Sequence, residues 1–270
     1  MRSTGDRPPA ARRALALDLG SARTRAWVPG TGLVADLPSG VPHTRLPRTA
    51  RSEPRPVPVR WGRVADQEAC ARLLYEIADG ALGPERRDCL VVVSHPVLAG
   101  LEHREHLRTL VGSLGVGRVL RVDSARAAAA YAGAGSEGPL LVVDLGAGLT
   151  EATLLVHGAV QDARLAEIGL ADLPAGSTPA PLVGTAASLV EEMWLRDRHG
   201  AVRGALRRGV LVTGGGALLP GLLPRLAARL GAKLRPITEP ETAVVQGAAL
   251  LADAAVRHPA GRRTTQDRPL

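Results

Sequence analysis

A duplicated segment restricts the fold of this 270-residue chain more than any other feature. ALALDLGSARTRAWV at 14–28 and LLVVDLGAGLTEATLL at 140–155 share one pattern: an apolar strand, Asp-Leu-Gly, a small residue, a threonine and a second strand. Asp18 and Asp144 stand 126 positions apart, so the unit occurs once in each half. Such a repeat predicts two related lobes facing each other across a cleft. Each copy reads as a buried strand that turns through glycine and comes back, with a carboxylate at the tip.

Those tips suit a phosphate chain bound with Mg²⁺. Gly20, Gly146 and Gly148 allow close backbone approach and positive φ. Mg²⁺ keeps most of its hydration shell, so Asp18 and Asp144 can each hold it through water. Ser21, Thr24 and Thr150 add hydroxyls, and two tips can clamp one triphosphate from both sides. Other phosphate loops fit worse. A P-loop needs Gly-Lys-Ser/Thr entering a helix, and the sole lysine, Lys233, lies elsewhere. A dinucleotide fingerprint needs a helix after its glycines, but TEATLLV after Leu149 is β-patterned.

A third element is GVLVTGGGALLPGLLPRLAARLG at 209–231. A strand reaches Thr213, three glycines follow, and a helix is expected over 219–230 with Pro220 in its first turn. Glycines at a helix start let a base and ribose, or a phosphate, lie against backbone. The remaining pattern places strands at 14–19, 26–35, 89–96, 118–122, 159–168, 210–212 and 233–236. Helices are expected at 65–79, 100–114, 124–133, 181–200 and 240–256. Strands interleaved with helices give an α/β class.

Charge excludes one class of function. The net charge is +8, yet residues 1–13, 45–63 and 258–270 alone carry +3, +5 and +2. The basicity therefore sits in tails and a Pro/Arg-rich stretch within 36–63, with no recognition module beside it. Specific nucleic-acid binding is not expected, and membrane contact is at most peripheral. Two scattered cysteines give no disulfide framework, and no long apolar run spans a membrane, so a cytoplasmic protein is expected, with membrane association an option. His103 and His106 fall one residue short of a His-x-x-Glu-His pattern and read as a solvated helix face. His95 reads as a strand-end residue and Trp61 as a side chain packed under a loop.

The three motifs in this order resemble the actin/Hsp70/sugar-kinase ATPase superfamily, and within it the bacterial actin-like MreB family of cell-shape proteins. DLGSART (18–24) looks like the first phosphate loop and DLGAGLTE (144–151) like the second. TGGGALLPG (213–221) is similar to the adenosine motif. DSARAAAAYAGAG (123–135) and EPETAVVQGAALL (239–251) resemble the two interdomain helices, and GRVAD (62–66) echoes a stretch before the first long helix. The likeness covers most of 14–256. It implies ATP with Mg²⁺ held through water by Asp18 and Asp144. It implies phosphates lined by Ser21, Ala22, Arg23, Ala147, Gly148, Leu149 and Thr150, and adenosine received by Gly214, Gly215, Gly216, Ala217 and Leu218. Arg25 stands where actins carry a phosphate-facing lysine, and both phosphate contact and plain exposure stay open for it.

Three departures shape the expectation. In MreB-like proteins a Glu-Glu-Pro stretch opens the interdomain helix, and its second Glu positions the attacking water. Here Asp123, Ser124 and Ala125 take those places, so no catalytic residue is assigned and any ATPase activity is weak. Asp123 reads as a strand-end residue or helix cap. Full-length relatives insert a small subdomain where ADLPAGSTPAP (171–181) here forms a linker. Residues 36–63 are short and Pro-rich for the other small subdomain. The expected fold is thus an actin-like (ribonuclease H-like) duplicated two-lobe α/β ATPase fold with both outer subdomains reduced or missing. Its parts are a basic tail (1–13), a first lobe (14–137), a second lobe (138–239), a helix returning toward the first lobe (240–257) and a tail (258–270). The implied function is ATP binding in cell shape and wall morphogenesis, through homo-filaments or wall-machinery partners. A small-molecule kinase and a non-nucleotide regulatory paralogue are the alternatives.

Overall fold

A computed structural model describes residues 13–39, 58–134 and 137–257. The expectations for the basic tails and for most of the 36–63 segment lie outside those residues. Among the described residues twelve strands and seven helices follow one another in two series. The first runs β1 (Ala14–Leu19), β2 (Arg23–Val28), β3 (Gly32–Pro38), a hairpin of β4 (Val59–Arg60) and β5 (Arg63–Val64), α1 (Gln67–Leu82), β6 (Leu90–His95), α2 (Leu101–Gly112), β7 (Arg118–Asp123) and α3 (Ser124–Tyr131). The second runs β8 (Pro139–Leu145), β9 (Thr150–Val156), β10 (Ala159–Ala166), α4 (Ala180–Leu195), α5 (Ala201–Arg208), β11 (Val210–Thr213), α6 (Leu222–Leu230), β12 (Leu234–Pro236) and α7 (Ala243–Arg257).

The two main sheets have equivalent orders, β3-β2-β1-β6-β7 and β10-β9-β8-β11-β12. In each, a three-strand antiparallel meander leads into parallel strands reached by helical crossovers. The duplication seen at the hairpins therefore extends through both halves.

Period-two alternation decides which way each strand points. On β1, Leu15, Leu17 and Leu19 face α1 and α2, while Ala14 and Ala16 face the opposite side. On β8, Leu141, Val143 and Leu145 face α4, α5 and α6, while Leu140 and Val142 face inward. Between the sheets lie α3 and α7, packed on each other through Ala125, Ala127, Ala128 and Ala129 on one and Ala243, Val244, Ala248 and Ala252 on the other. Alanine is what this layer admits: a Cβ on Gly247 would run into the carbonyl of Ala127. Burying an outer leucine such as Leu17 or Leu145 contributes about 1.5–3 kcal/mol, so the two outer cores supply much of the stability that small inner residues cannot.

Three local expectations are corrected. The strand expected over 26–35 is two strands, because Pro29-Gly30 turns the chain and Gly30 and Gly32 adopt φ of 81° and 107°. The helix expected over 181–200 stops at Leu195. Gly200 (φ 71°) instead precedes α5, whose first amides, Ala201 N and Arg203 N, donate to the Asp197 carboxylate at 2.8 and 3.1 Å. Pro220 is not in a helical first turn: Gly215–Leu218 form a 3-10 turn, and α6 starts only after Gly221 (φ 74°). The linker expected at 171–181 falls in the 167–179 connection from β10 to α4, which holds a single 3-10 turn, Leu170–Asp172, and runs into the first residues of α4.

Candidate functional site

The alternation that sends leucines outward sends the last inward-facing residue of each central strand into the space between the sheets. On β1 that residue is Asp18, and on β8 it is Asp144. Both border one cavity of about 270 Å³, together with Gly20, Ser21, Ala22 and Arg23 of the first tip and Gly146, Ala147, Gly148 and Leu149 of the second. The tips turn identically: Gly20 N bonds the Arg23 carbonyl at 3.1 Å, and Gly146 N bonds the Leu149 carbonyl at 2.9 Å. They also meet. A Cβ on Gly148 would lie 2.8 Å from Ser21 Oγ, and that hydroxyl accepts from Gly62 N at 2.9 Å.

Burial pushes the Asp18 carboxyl up, against the pull of Ser94, whose hydroxyl donates to Asp18 Oδ1 at 2.6 Å, and of Arg25. Burial, reinforced by the negative charge of Asp18, pushes Asp144 up to about 7. A buried carboxylate raised by a second one beside it is relieved by a cation. The amides of Ser21, Ala22, Ala147, Gly148 and Leu149 have no hydrogen-bond partner among the described residues. Free amides at a turn and a pair of acids behind them fit a phosphate chain with Mg²⁺.

Of the residues expected here, Thr24 and Thr150 are corrected. Both are fully buried on the far side of their strands. Thr24 Oγ1 shares a 2.6 Å hydrogen bond with Ser39 Oγ, and Thr150 Oγ1 donates to the Ile168 carbonyl at 2.8 Å. Their position one residue out of step with Asp18 and Asp144 makes this unavoidable. The adenosine motif divides: Gly214 and Gly215 border the cavity, Gly216 and Ala217 are buried beneath it, and Leu218 is exposed and outside it. Gly214 has φ 85°, and a side chain there would strike the Asp144 carboxylate and the Leu145 carbonyl. Ser124 borders the cavity, whereas Asp123 caps α3 without a side-chain hydrogen bond and lies 3.7 Å from His95 Nδ1. Trp61 packs beside Gly148, with the Arg60 guanidinium 4.1 Å over its ring.

Sequence reasoning left several residues out of the site. Ser94 reaches Asp18 from the parallel neighbour β6. Glu241 borders the cavity with one carboxylate oxygen buried and unbonded among the described residues. Glu151, opposite Asp144 in the β8–β9 ladder, is 1% exposed and pushed up to about 8, first by burial and then by Asp144. A signal for Glu151 existed: it is an acidic residue at an inward strand position, in phase with Leu155.

No protein-family model matches the chain, and no curated protein matches its sequence. Solved structures do match its fold. MreB5 of Spiroplasma citri bound to ADP superposes with a TM-score of 0.79 over 92% of this chain and 98% of that one, at 19% identity. The same protein bound to AMPPNP gives 0.75 over 91% and 97%, also at 19% identity. With its duplicated sheets, its paired inner helices and its facing hairpin tips, the chain has the actin-like fold of MreB in a divergent form.

Proposed function

We propose that the protein binds ATP with Mg²⁺ between its two lobes and serves as an MreB-like, actin-like element of cell-shape and wall morphogenesis. Hydrolysis in this reading is slow at most. The observation that carries it is the convergence of both tips on one cavity, with Asp18 close enough to raise the Asp144 carboxyl. The MreB5 neighbours were crystallised with ADP and AMPPNP, which supports a nucleotide in the corresponding place. Here Asp18 and Asp144 would hold the Mg²⁺ waters, the tip amides and Arg23 would take the phosphates, and Gly214 and Gly215 would let the nucleoside lie against backbone. A cavity of about 270 Å³ is small for a whole nucleotide, since ligand pockets span roughly 300–1,000 Å³. It fits the phosphate end, with the base lying along the open rim near Leu218.

The same reading assigns residues 14–137 and 138–239 as the lobes and 240–257 as the helix that ties the second back to the first. Self-assembly into filaments and contact with wall-machinery proteins belong to the proposal, as does a cytoplasmic location. Among the described residues no helix is long and apolar enough to cross a membrane. Calorimetry with Mg-ATP tests the core claim. Binding is expected for the unmutated protein, weakened about a hundredfold or more in Asp144→Ala, a loss of roughly 3 kcal/mol. An unmutated protein that takes up no nucleotide ends the reading. Sedimentation with and without ATP tests assembly, and a monomer throughout ends that part.

A further inference from the structure

We propose that the second lobe carries a separate anion site, at the end of β8 away from the hairpin tip. It takes a phosphate monoester through Arg207, Arg208 and His199. The inference stands apart from the nucleotide reading and survives or fails without it.

The sequence supplies the charge. Residues 196–208 hold five arginines and one acid, Asp197. That acid is committed to backbone, since its two carboxylate oxygens accept from Ala201 N and Arg203 N. The acids of the preceding helix are committed too, Glu191 to Arg229 at 2.8 Å and Glu192 to Arg164 at 3.8 Å. Glu137 meets Arg208 through its carbonyl oxygen. Among the described residues, therefore, none of these five arginines has an ion pair, whereas Arg23, Arg72, Arg86 and Arg121 each do.

The fold gives that charge a shape. Val202, Ala205 and Leu206 bury one face of α5 and leave Arg203, Arg207 and Arg208 exposed on the other. Gly204, one turn before Arg207 and Arg208, lets the helix lie close on β8: a Cβ there would stand 3.0 Å from Pro139 Cγ. Pro139 and Val156 are the outermost pair of the β8–β9 ladder, and the tip pair Leu145 and Thr150 lies at its other end. At about 3.4 Å per residue that is about 20 Å away. Pro139, Val156 and Gly204, with His199, Arg207 and Arg208, border a cavity of about 520 Å³, and none of its lining residues borders the first cavity. Its size lies within the roughly 300–1,000 Å³ of ligand pockets.

The chemistry of the lining selects the ligand. A guanidinium presents its donors in a planar fork that matches two phosphate oxygens at once. Arg208 is already held by the Glu137 carbonyl, and His199 adds a ring N–H. Two neighbouring guanidinium groups without an acid are balanced by a phosphate monoester of charge near −2, and only half balanced by one carboxylate. Pro139 and Val156 offer nothing to a bare hydrated ion, but they accept the carbon part of an ester. A small soluble phosphate ester and a phosphate-bearing lipid headgroup share this chemistry.

The test uses the full chain without nucleotide or Mg²⁺. Calorimetry measures glycerol phosphate, and sedimentation measures phosphatidylcholine vesicles with and without phosphatidic acid. Binding is expected to be saturable and to weaken about tenfold or more in Arg207→Glu and in Arg208→Glu. Arg87→Glu, at an exposed arginine of the first lobe, changes the net charge equally and should alter binding less than about twofold. Arg207 has no side-chain hydrogen bond or ion pair among the described residues, so its variant carries the test if Arg208→Glu disturbs the fold. Uptake of glycerol phosphate identifies a free ester as the ligand. Uptake of phosphatidic acid vesicles alone, lost in Arg207→Glu, identifies a headgroup. The site is overturned if neither probe binds, if Arg207→Glu binds like the unmutated protein, or if Arg87→Glu weakens binding as much as Arg207→Glu does.

Discussion

The two hairpin tips share a turn, a cavity and an acid, but the residue opposite that acid differs. Across the β1–β2 ladder Asp18 pairs with Arg25, and across the β8–β9 ladder Asp144 pairs with Glu151. The first tip is thus internally compensated. Arg25 lies 3.3 Å from Asp36 Oδ1, near enough for an ion pair but not aligned for a hydrogen bond, and its charge also pulls Asp18 down. The second tip is uncompensated, two acids with a third across the cavity. Both tips are braced: Leu170 N and Ala171 N donate to the carbonyls of Gly146 and Ala147 at 2.9 and 2.8 Å, and Ser39 N and Gly62 N donate to the Ala22 carbonyl and Ser21 Oγ at 2.9 Å each. The difference teaches that a duplicated scaffold can keep its backbone and divide the charge. One half neutralises itself, and the other creates the demand for a cation.

The largest break in that comparison is Arg25→Glu, which makes the first tip as acidic as the second. Replacing a cation whose side chain is 14% exposed with a fourth acid is expected to destabilise the protein by about 3 kcal/mol or more. The melting temperature should fall by about 10 °C, at roughly 2–4 °C per kcal/mol for a chain near this size. A thermal melt at neutral pH showing no fall would mean that Arg25 does not compensate the first tip.

Next comes Glu151→Gln without nucleotide. The folded Glu151 carboxyl is pushed up to about 8 from an ordinary value of 4.5, so the folded state holds its proton more tightly than the unfolded one. Its contribution is fully present below about pH 4.5 and is lost as pH rises through about 8. Glutamine has no proton to lose there. The variant should therefore gain on the unmutated protein as pH rises from about 4.5 to about 8, by a few kcal/mol in all at about 1.4 kcal/mol per pH unit, and no further above that. Denaturant unfolding across the pH range checks this, and parallel curves for the two proteins would refute it.

Smallest is the contrast between hydroxyls. Thr24→Val leaves Ser39 without its buried partner and should cost about 1–3 kcal/mol of stability. Its effect on Mg-ATP affinity should stay within about threefold. Ser21→Ala touches the cavity and should weaken affinity more than Thr24→Val while changing stability less. Calorimetry and melts on the two variants separate them, and reversed rankings would place Thr24 at the site after all.

Much of this was legible in the chain. The runs at 14–19 and 140–145 carry the alternation that puts leucine on one face and aspartate on the other, and strand phase is local information. The helix at α1 was legible for the same reason, through the buried stripe of Cys70, Leu74, Ile77 and Ala78. The break between α4 and α5 was not, because Leu195 and Arg196 are acceptable in a helix and only the Asp197 cap with Gly200 decides otherwise. Thr24 and Thr150 were misread by chemistry, since a threonine near a tip suggests a ligand while strand phase turns it away.

Sequence alone determined the repeat, the α/β class, the two tips and the acids at their ends, because each depends on neighbours a few residues away and on the steric freedom of glycine. Tertiary structure alone decided that Ser94 would reach Asp18, that Arg25 and Glu151 would stand opposite the two acids, and that Glu151 would lie behind Ser124. Those pairings depend on register and on the packing of α3 and α7 between two sheets. They join residues from 7 to 76 positions apart, and no local pattern records which distant carboxylate a given side chain will meet once water is excluded.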